Sequence, residues 1–166
     1  MPAFCYAFQH IKRDAIEAVQ RTVGAGFYQM TSPRRMEHLT ALAGDLSEVY
    51  CLPVPKVHLE PRLLHSHGYY SWCSAPGICA PDETPPSVEA TIVVRKASII
   101  TFLHEYRHHM QVSGVRYGRP AEWDAQAWAT SLFRLACPGR FRQAVTAGAV
   151  MGLVMRDGRI EEGEWM

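Results

Sequence analysis

Two histidines four positions apart, His104 and His108, constrain this chain more than any other feature of its sequence. They belong to the segment LHEYRHH (103–109), in which Glu105 directly follows the first histidine. In an α-helix, residues i and i+4 lie one turn apart on the same face. Both imidazoles can then reach one Zn²⁺ ion at about 2.0–2.1 Å. The spacing therefore predicts a helix that carries two metal ligands.

The surrounding sequence predicts that helix independently. Ser98 supplies a capping hydroxyl, and the helix is expected to run to about Val112. Neither histidine falls on the main apolar arc, which consists of Ile99, Ile100, Phe102, Leu103, Tyr106 and Met110. We therefore expect the histidines to face a cleft, with Glu105 beside them, where it can accept a proton from a metal-activated water. The charge of Arg107, inside the motif, is expected to leave this helix less buried.

A third ligand is expected from the next predicted helix, which Pro120 opens and which reaches Ala136. On its helical wheel Glu122 falls inside the apolar arc, as does Gln126, whereas Asp124 falls at the edge. A carboxylate aimed into a packed interface is costly unless a cation meets it. Glu122 is therefore the preferred ligand and Asp124 the reserve. The alternative is an ordinary acidic residue, favoured by the helix dipole in the first turn.

The whole chain predicts one α+β domain over residues 1–166, with the metal-binding core at about 88–138. A short sheet of three or more strands is expected to pack on the helix with His104 and on the helices that follow. Further helices are predicted at 8–23, from a Ser32 cap to the LPVP sequence at 52–55, and at 141–155, before a frayed tail. Strands are predicted at 57–59, 69–72 and 88–95, with a proline-rich loop at 73–88.

The composition excludes several classes of protein. Apolar residues make up 48% and charged residues 20%, which excludes general disorder. The net charge of +1 argues against a nucleic-acid partner. The first residues do not have the pattern of a signal peptide, and the longest apolar run, 144–155, is too short to span a bilayer. We therefore expect a cytoplasmic protein with no membrane contact and with free thiols, although Cys73 and Cys79 could pair.

The stretch from Val88 to Pro138 resembles the core of the zincin metallopeptidases. Its EWDAQAWA segment, 122–129, is similar to the ExxANxFA pattern of the ImmA/IrrE group and to the glutamate helix of gluzincins generally. This resemblance implies a small zincin-like fold in which His104, His108 and Glu122 bind one zinc ion per chain. It also implies that Glu105 is the general base, and that Gln126 takes a supporting position that often holds Asn or Asp. Metzincins are excluded, because Gln111 and Gly114 stand where their glycine and third histidine are required.

The function expected from these residues is a zinc-dependent endopeptidase that hydrolyses a protein or peptide. The alternative is a catalytically weak or inactive zincin-fold module that binds metal and has a regulatory or binding role. A metal-dependent nuclease that uses His65, His67, His108 and His109 is disfavoured by the neutral charge balance. His109 is otherwise expected at the surface or in a hydrogen bond. The group that polarises the scissile carbonyl stays open among Tyr69, Tyr70, Tyr117, His65 and His67.

Overall fold

The computed structural model describes residues 10–63, 67–71, 90–115, 121–150 and 153–162. Five α-helices, five short strands and one 3₁₀ turn (Phe27–Gln29) are found in these ranges. The helices are α1 (Arg13–Gly24), α2 (Ser32–Tyr50), α3 (Ile99–Val112), α4 (Ala121–Ala136) and α5 (Pro138–Thr146). The strands are β1 (Lys56–Leu59), β2 (Gly68–Ser71), β3 (Thr91–Val94), β4 (Leu153–Arg156) and β5 (Arg159–Glu162). The predicted α+β class is confirmed.

The four long helices enclose one apolar core. Helix α1 packs on α2 and α4, and α3 packs on α4. The largest apolar side chains that are fully buried include Trp128 of α4 and Tyr106 and Phe102 of α3. Their burial explains why α3 and α4 stay together, because large aromatic side chains remove the most apolar surface from water.

A three-stranded sheet covers one side of α3. Strand β3 is central, with β1 parallel to it and β2 antiparallel to it. Residues Ile92, Val93 and Val94 of β3 are buried, as a β-branched central strand should be. The chain then passes directly from β3 into α3, whose first turn is capped as predicted: Ser98 Oγ accepts a hydrogen bond from the Thr101 amide at 3.5 Å. This connection sets α3 against both β2 and β3.

The predicted cap of α2 is wrong by one position. Thr31 occupies the N-cap of α2, and its side chain makes no capping hydrogen bond. Pro33 lies in the first turn, where its missing N–H costs nothing. The helix ends at Tyr50, just ahead of the LPVP sequence that was predicted to stop it, and Cys51 adopts a left-handed conformation (φ 56°) at the C-cap.

The prediction of a long last helix and a frayed tail is also wrong. Helix α5 ends at Thr146, and β4 and β5 form an antiparallel hairpin. Both residues of its turn, Asp157 and Gly158, have positive φ (46° and 75°), as a two-residue hairpin turn requires. Leu153 is buried in the core and the half-buried Met155 packs against it, so the apolar residues that suggested a helix lie in a strand.

Other predictions fall on residues outside the described ranges. These are the loop at 73–88, Trp72, Pro120, and the possible pairing of Cys73 with Cys79. The first helix, predicted to begin at residue 8, begins instead at Arg13, because Lys12 is extended. Within the described ranges, none of the helices has the length and hydrophobicity that crossing a membrane requires.

Candidate metal centre

Helix α3 presents His104 and His108 side by side. Their ring centroids are 4.9 Å apart, and the two Nε2 atoms are separated by 3.2 Å. Both rings are largely buried, with side-chain exposures of 16% and 14%. The one-turn spacing on a capped, packed helix thus brings two imidazole nitrogens to a common point.

Glu122, from the first turn of α4, completes a triangle with these nitrogens. Its Oε2 lies 3.2 Å from His104 Nε2, and its Oε1 lies 3.1 Å from His108 Nε2. Two ligands bound at about 2.0–2.1 Å to a tetrahedral ion lie roughly 3.3 Å apart. The triangle therefore has the size that a zinc ion needs. Among the described residues, this is the single group of three or more His, Cys, Asp or Glu side chains that could hold a metal.

The reasoning that selected Glu122 is wrong about burial. The Glu122 side chain is 75% exposed, whereas Asp124 is buried, with an exposure of only 7%. The buried carboxylate does meet a cation, but that cation is Arg107: Nε and Nη2 donate to Asp124 Oδ2 and Oδ1 at 2.6 and 3.2 Å. Asp124, the reserve ligand, is thus held by a guanidinium and lies outside the triangle.

The expectation that Arg107 makes α3 less buried is also wrong. Arg107 is 1% exposed. Its charge is neutralised by the two-point contact with Asp124, a geometry that suits a guanidinium, and its guanidinium carbon lies 5.7 Å from the Trp128 ring centroid. The arginine therefore joins α3 to α4 and leaves the histidines free to face the cleft.

Glu105 lies beside this site and is buried, with only 6% of its surface exposed. Burial raises the pKa of its carboxyl to about 8, and the nearby charge of Glu122 contributes in the same direction. Burial lowers the pKa of His104, with a further decrease from His108, while contacts with Glu122 and Gln126 oppose the change. His104 is therefore neutral near pH 7, which is the form that binds metals.

The triangle and Glu105 line one wall of a cleft of about 1020 Å³. Gln126 lines it too, on the turn of α4 after Glu122, and its Nε2 donates to Thr130 Oγ1 at 3.3 Å. Tyr69 and Tyr70 of strand β2 also line the cleft, as does His67, which directly precedes the strand.

The candidates for polarising a carbonyl have different surroundings. Tyr69 is exposed, and so is His67, whereas burial raises the pKa of Tyr70 to about 12. His65 and Tyr117 lie outside the described residues. Three of the five candidates, His67, Tyr69 and Tyr70, therefore line the cleft, and the choice among them stays open.

His109 is buried and makes two hydrogen bonds, as one of its two expected roles requires. Its Nε2 donates to the Pro53 carbonyl at 2.7 Å, because a carbonyl only accepts. Its Nδ1 therefore accepts from the Tyr70 hydroxyl at 3.0 Å, provided the ring is neutral, which burial favours by lowering its pKa. His109 thus fastens α3 to β2 and to the segment before β1, and takes no part in the triangle.

Sequence reasoning missed the part played by Gln111. Its side chain links His108 to α4, with contacts to His108 Nδ1, the Ala121 carbonyl and Asp124. The signal was the three-residue spacing from His108, which places both side chains on one helix face.

No family model, no curated protein and no solved structure matches this chain. Its function must therefore be argued from the site itself.

Proposed function

We propose that this chain is a zinc metallopeptidase of the gluzincin type, an enzyme that hydrolyses peptide bonds in a protein or peptide substrate. One observation carries the proposal: two imidazole nitrogens and a carboxylate converge to within 3.1–3.2 Å, next to a buried glutamate. Two histidines and one glutamate are an established ligand set of catalytic zinc sites.

The openness of the site supports catalysis over a purely structural role. Structural zinc sites are closed by four protein ligands, whereas catalytic sites keep one position for water or substrate. Here the described residues supply three ligands, and the third is 75% exposed at the edge of a large cleft. This arrangement gives a peptide access to the ligand triangle and favours an enzyme over an inert metal-binding module.

In this proposal each residue has a separate task. His104, His108 and Glu122 hold the ion, and bound zinc would supply Lewis-acid chemistry that polarises a carbonyl and lowers the pKa of water. Glu105 takes a proton from the attacking water on its carboxylate and can return it to the leaving amine. The charge of a dication nearby would lower the raised pKa of Glu105, so that the carboxylate form is available near pH 7. Because Glu105 is buried, bulk water has little access to its carboxylate and does not compete with the attacking water for it.

The test compares two glutamate variants. The metal-stripped protein is reloaded with zinc, bound metal is measured by elemental analysis, and cleavage of fluorescently labelled casein is followed. Glu105→Gln should bind one zinc per chain but lower the cleavage rate on the order of 10²–10⁴-fold, since it keeps the size and removes the base. Glu122→Ala should lose both metal and activity.

Glu48→Gln serves as the control, because Glu48 is exposed at the end of α2, outside the cleft lining. It should match the wild type in both measurements. Failure of the wild-type protein to bind zinc, even with zinc added, would reject the metal site. Full zinc loading without cleavage of any peptide substrate would point instead to the non-catalytic binding module.

A further inference from the structure

We propose that Gln111 is a positioning residue, which holds the His108 ring so that Nε2, without a proton, faces the metal site. The inference rests on the proposed metal site, but its main prediction concerns the protein without metal. It follows from a chain of hydrogen bonds that runs from Arg107 through Asp124 and Gln111 to His108.

The first step is the orientation of the Gln111 amide. Its Nε2 lies 2.9 Å from the Ala121 carbonyl oxygen and 2.8 Å from Asp124 Oδ2. Both partners are acceptors, since Asp124 Oδ2 also accepts from Arg107 Nε at 2.6 Å. The two N–H groups of the amide are therefore both engaged on α4, and the opposite orientation would place a carbonyl oxygen against two acceptors.

The second step transfers this orientation to the histidine. With its nitrogen on α4, Gln111 presents Oε1 to His108 Nδ1 at 2.8 Å. An amide oxygen only accepts, so His108 Nδ1 carries the proton. In a neutral imidazole the other nitrogen then has a free lone pair. That nitrogen, Nε2, can accept the proton of His104 Nε2 at 3.2 Å. Glu122 Oε1, 3.1 Å away, only accepts and favours the opposite tautomer, but Glu122 is 75% exposed, so water can satisfy this oxygen in place of His108.

The third step concerns the other ligand helix. Ala121, which accepts from Gln111, is the first residue of α4 and immediately precedes Glu122. One side chain of α3 therefore fixes the tautomer of one ligand and anchors the turn that carries another. Partners of this kind behind metal ligands typically change metal affinity 10–100-fold when they are removed.

The test reads the tautomer directly, in metal-free protein with ¹⁵N-labelled histidine at pH 8. Long-range ¹H–¹⁵N correlation spectra distinguish Nδ1–H from Nε2–H rings, and the His108 signal is assigned from its loss in His108→Ala. The wild type should show the Nδ1–H form. Gln111→Met keeps the length of the side chain without either polar atom, and should shift His108 toward Nε2–H. The same variant should raise the zinc Kd about 10–100-fold in competition with a chromophoric chelator.

Two further variants separate positioning from general stability. Gln111→Glu keeps an acceptor for His108 Nδ1 and should retain the Nδ1–H tautomer, although its second oxygen loses both donor contacts with α4 and should lower stability, as the methionine variant does. Ser47→Ala removes a buried hydrogen bond between Ser47 and the Tyr106 hydroxyl (3.0 Å), away from the cleft. It should lower stability without altering the tautomer or the zinc Kd.

An unchanged Nδ1–H tautomer in Gln111→Met would overturn the inference. So would an equal loss of zinc affinity in Gln111→Met and Ser47→Ala, since that result would mean a purely structural role. Because the tautomer is read without metal or substrate, absence of peptidase activity rejects the proposed function and leaves this inference standing.

Discussion

Glu122 and Asp124 lie two positions apart on α4 and face opposite environments. Glu122 is exposed at the cleft, and Asp124 is buried against the guanidinium of Arg107. The two carboxylates therefore contribute differently to the protein: one can bind metal, and the other neutralises a buried charge. Their separate replacement distinguishes the two roles.

Asp124→Ala should destabilise the metal-free protein by about 3–5 kcal/mol, because it leaves the buried charge of Arg107 without a partner. Glu122→Ala should change stability by no more than about 0.5 kcal/mol under the same conditions, as an exposed substitution does. Urea denaturation in the presence of a chelator measures both. Arg107→Met combined with Asp124→Leu should recover most of the loss, since it removes both charges together. Equal effects of the two alanine variants would contradict this account.

Glu105 should make the stability of the metal-free protein depend on pH. Burial raises its pKa from 4.5 to about 8 in the folded state, so between these values the folded chain holds a proton that the unfolded chain has lost. Stability is thus lost as the pH rises through this window. The lowered pKa values of His104 and His109 act in the opposite direction, but only below their ordinary value of 6.5.

The interval from pH 6.5 to 8 therefore isolates Glu105. Across it, the unfolding free energy of the wild type should fall on the order of 2 kcal/mol relative to Glu105→Gln, which cannot ionise. Denaturation curves of both metal-free proteins at several pH values test this. Parallel pH profiles would show that the Glu105 carboxyl is already ionised at pH 6.5.

The sequence predicted the part of the site that depends on one helix, but not the contacts that join two helices. The four-residue spacing placed His104 and His108 on one face, because helix geometry is local. A helical wheel also finds most of the buried side of α4, such as Trp128 and Leu132, but it places the exposed Glu122 on that side and does not show what lies opposite each residue. The pairing of Asp124 with Arg107 joins two helices, and no periodicity in either helix contains that information.

At the scale of secondary structure, Gly68 lets β2 come close to the candidate site. A Cβ atom at this position would lie 2.8 Å from the Val93 carbonyl oxygen, 3.1 Å from Thr101 Cγ2 and 3.2 Å from Glu105 Cγ. The first distance is to backbone, so the strand itself would have to shift. A glycine here therefore sets the separation between the strand and the proposed general base.

Gly68→Ala should destabilise the protein by about 1–3 kcal/mol through overpacking and should lower any peptidase activity. Gly44→Ala is the matched control, because Gly44 lies within α2 and a Cβ added there would meet no neighbouring atom within 4 Å. It should stabilise the protein by about 0.5–1 kcal/mol, since alanine favours helix over glycine. Thermal melts of both variants provide the measurement, and the two shifts should have opposite signs. A Gly68→Ala melt at or above that of the wild type would refute the close approach.

The elements themselves were predictable where the local signals agreed. Helix α3 has a capping serine and a continuous apolar arc, and both led to the correct bounds. The segment around Leu153 and Met155 has an apolar run that suits either a helix or a strand. The deciding signal was Asp157-Gly158, a pair that favours a two-residue hairpin turn. Hydrophobicity alone therefore misassigned the last two strands.

At the scale of the whole molecule, the order of helices and strands predicted the α+β class, but not the sheet order β1-β3-β2. That order depends on pairing between strands distant in sequence. The same sheet supports α3, and α3 packs on α4, so the proposed ligands come from two helices that belong to one core. A metal held between α3 and α4 should therefore stabilise the molecule as a whole.

Zinc should raise the melting temperature of the wild-type protein, and a chelator should reverse the increase. A ligand that binds only the folded state at about 100 times its Kd adds roughly 2.7 kcal/mol, which corresponds to about 5–11 °C for a domain of this size. His108→Ala removes one ligand from α3 and should abolish the response, although its own melting temperature without metal stays measurable. Calorimetry or fluorescence melts, with and without a chelator, give both values for each protein. An equal effect of the chelator on the two proteins would mean that zinc acts elsewhere, and the triangle of His104, His108 and Glu122 would then lose its assignment as the metal site.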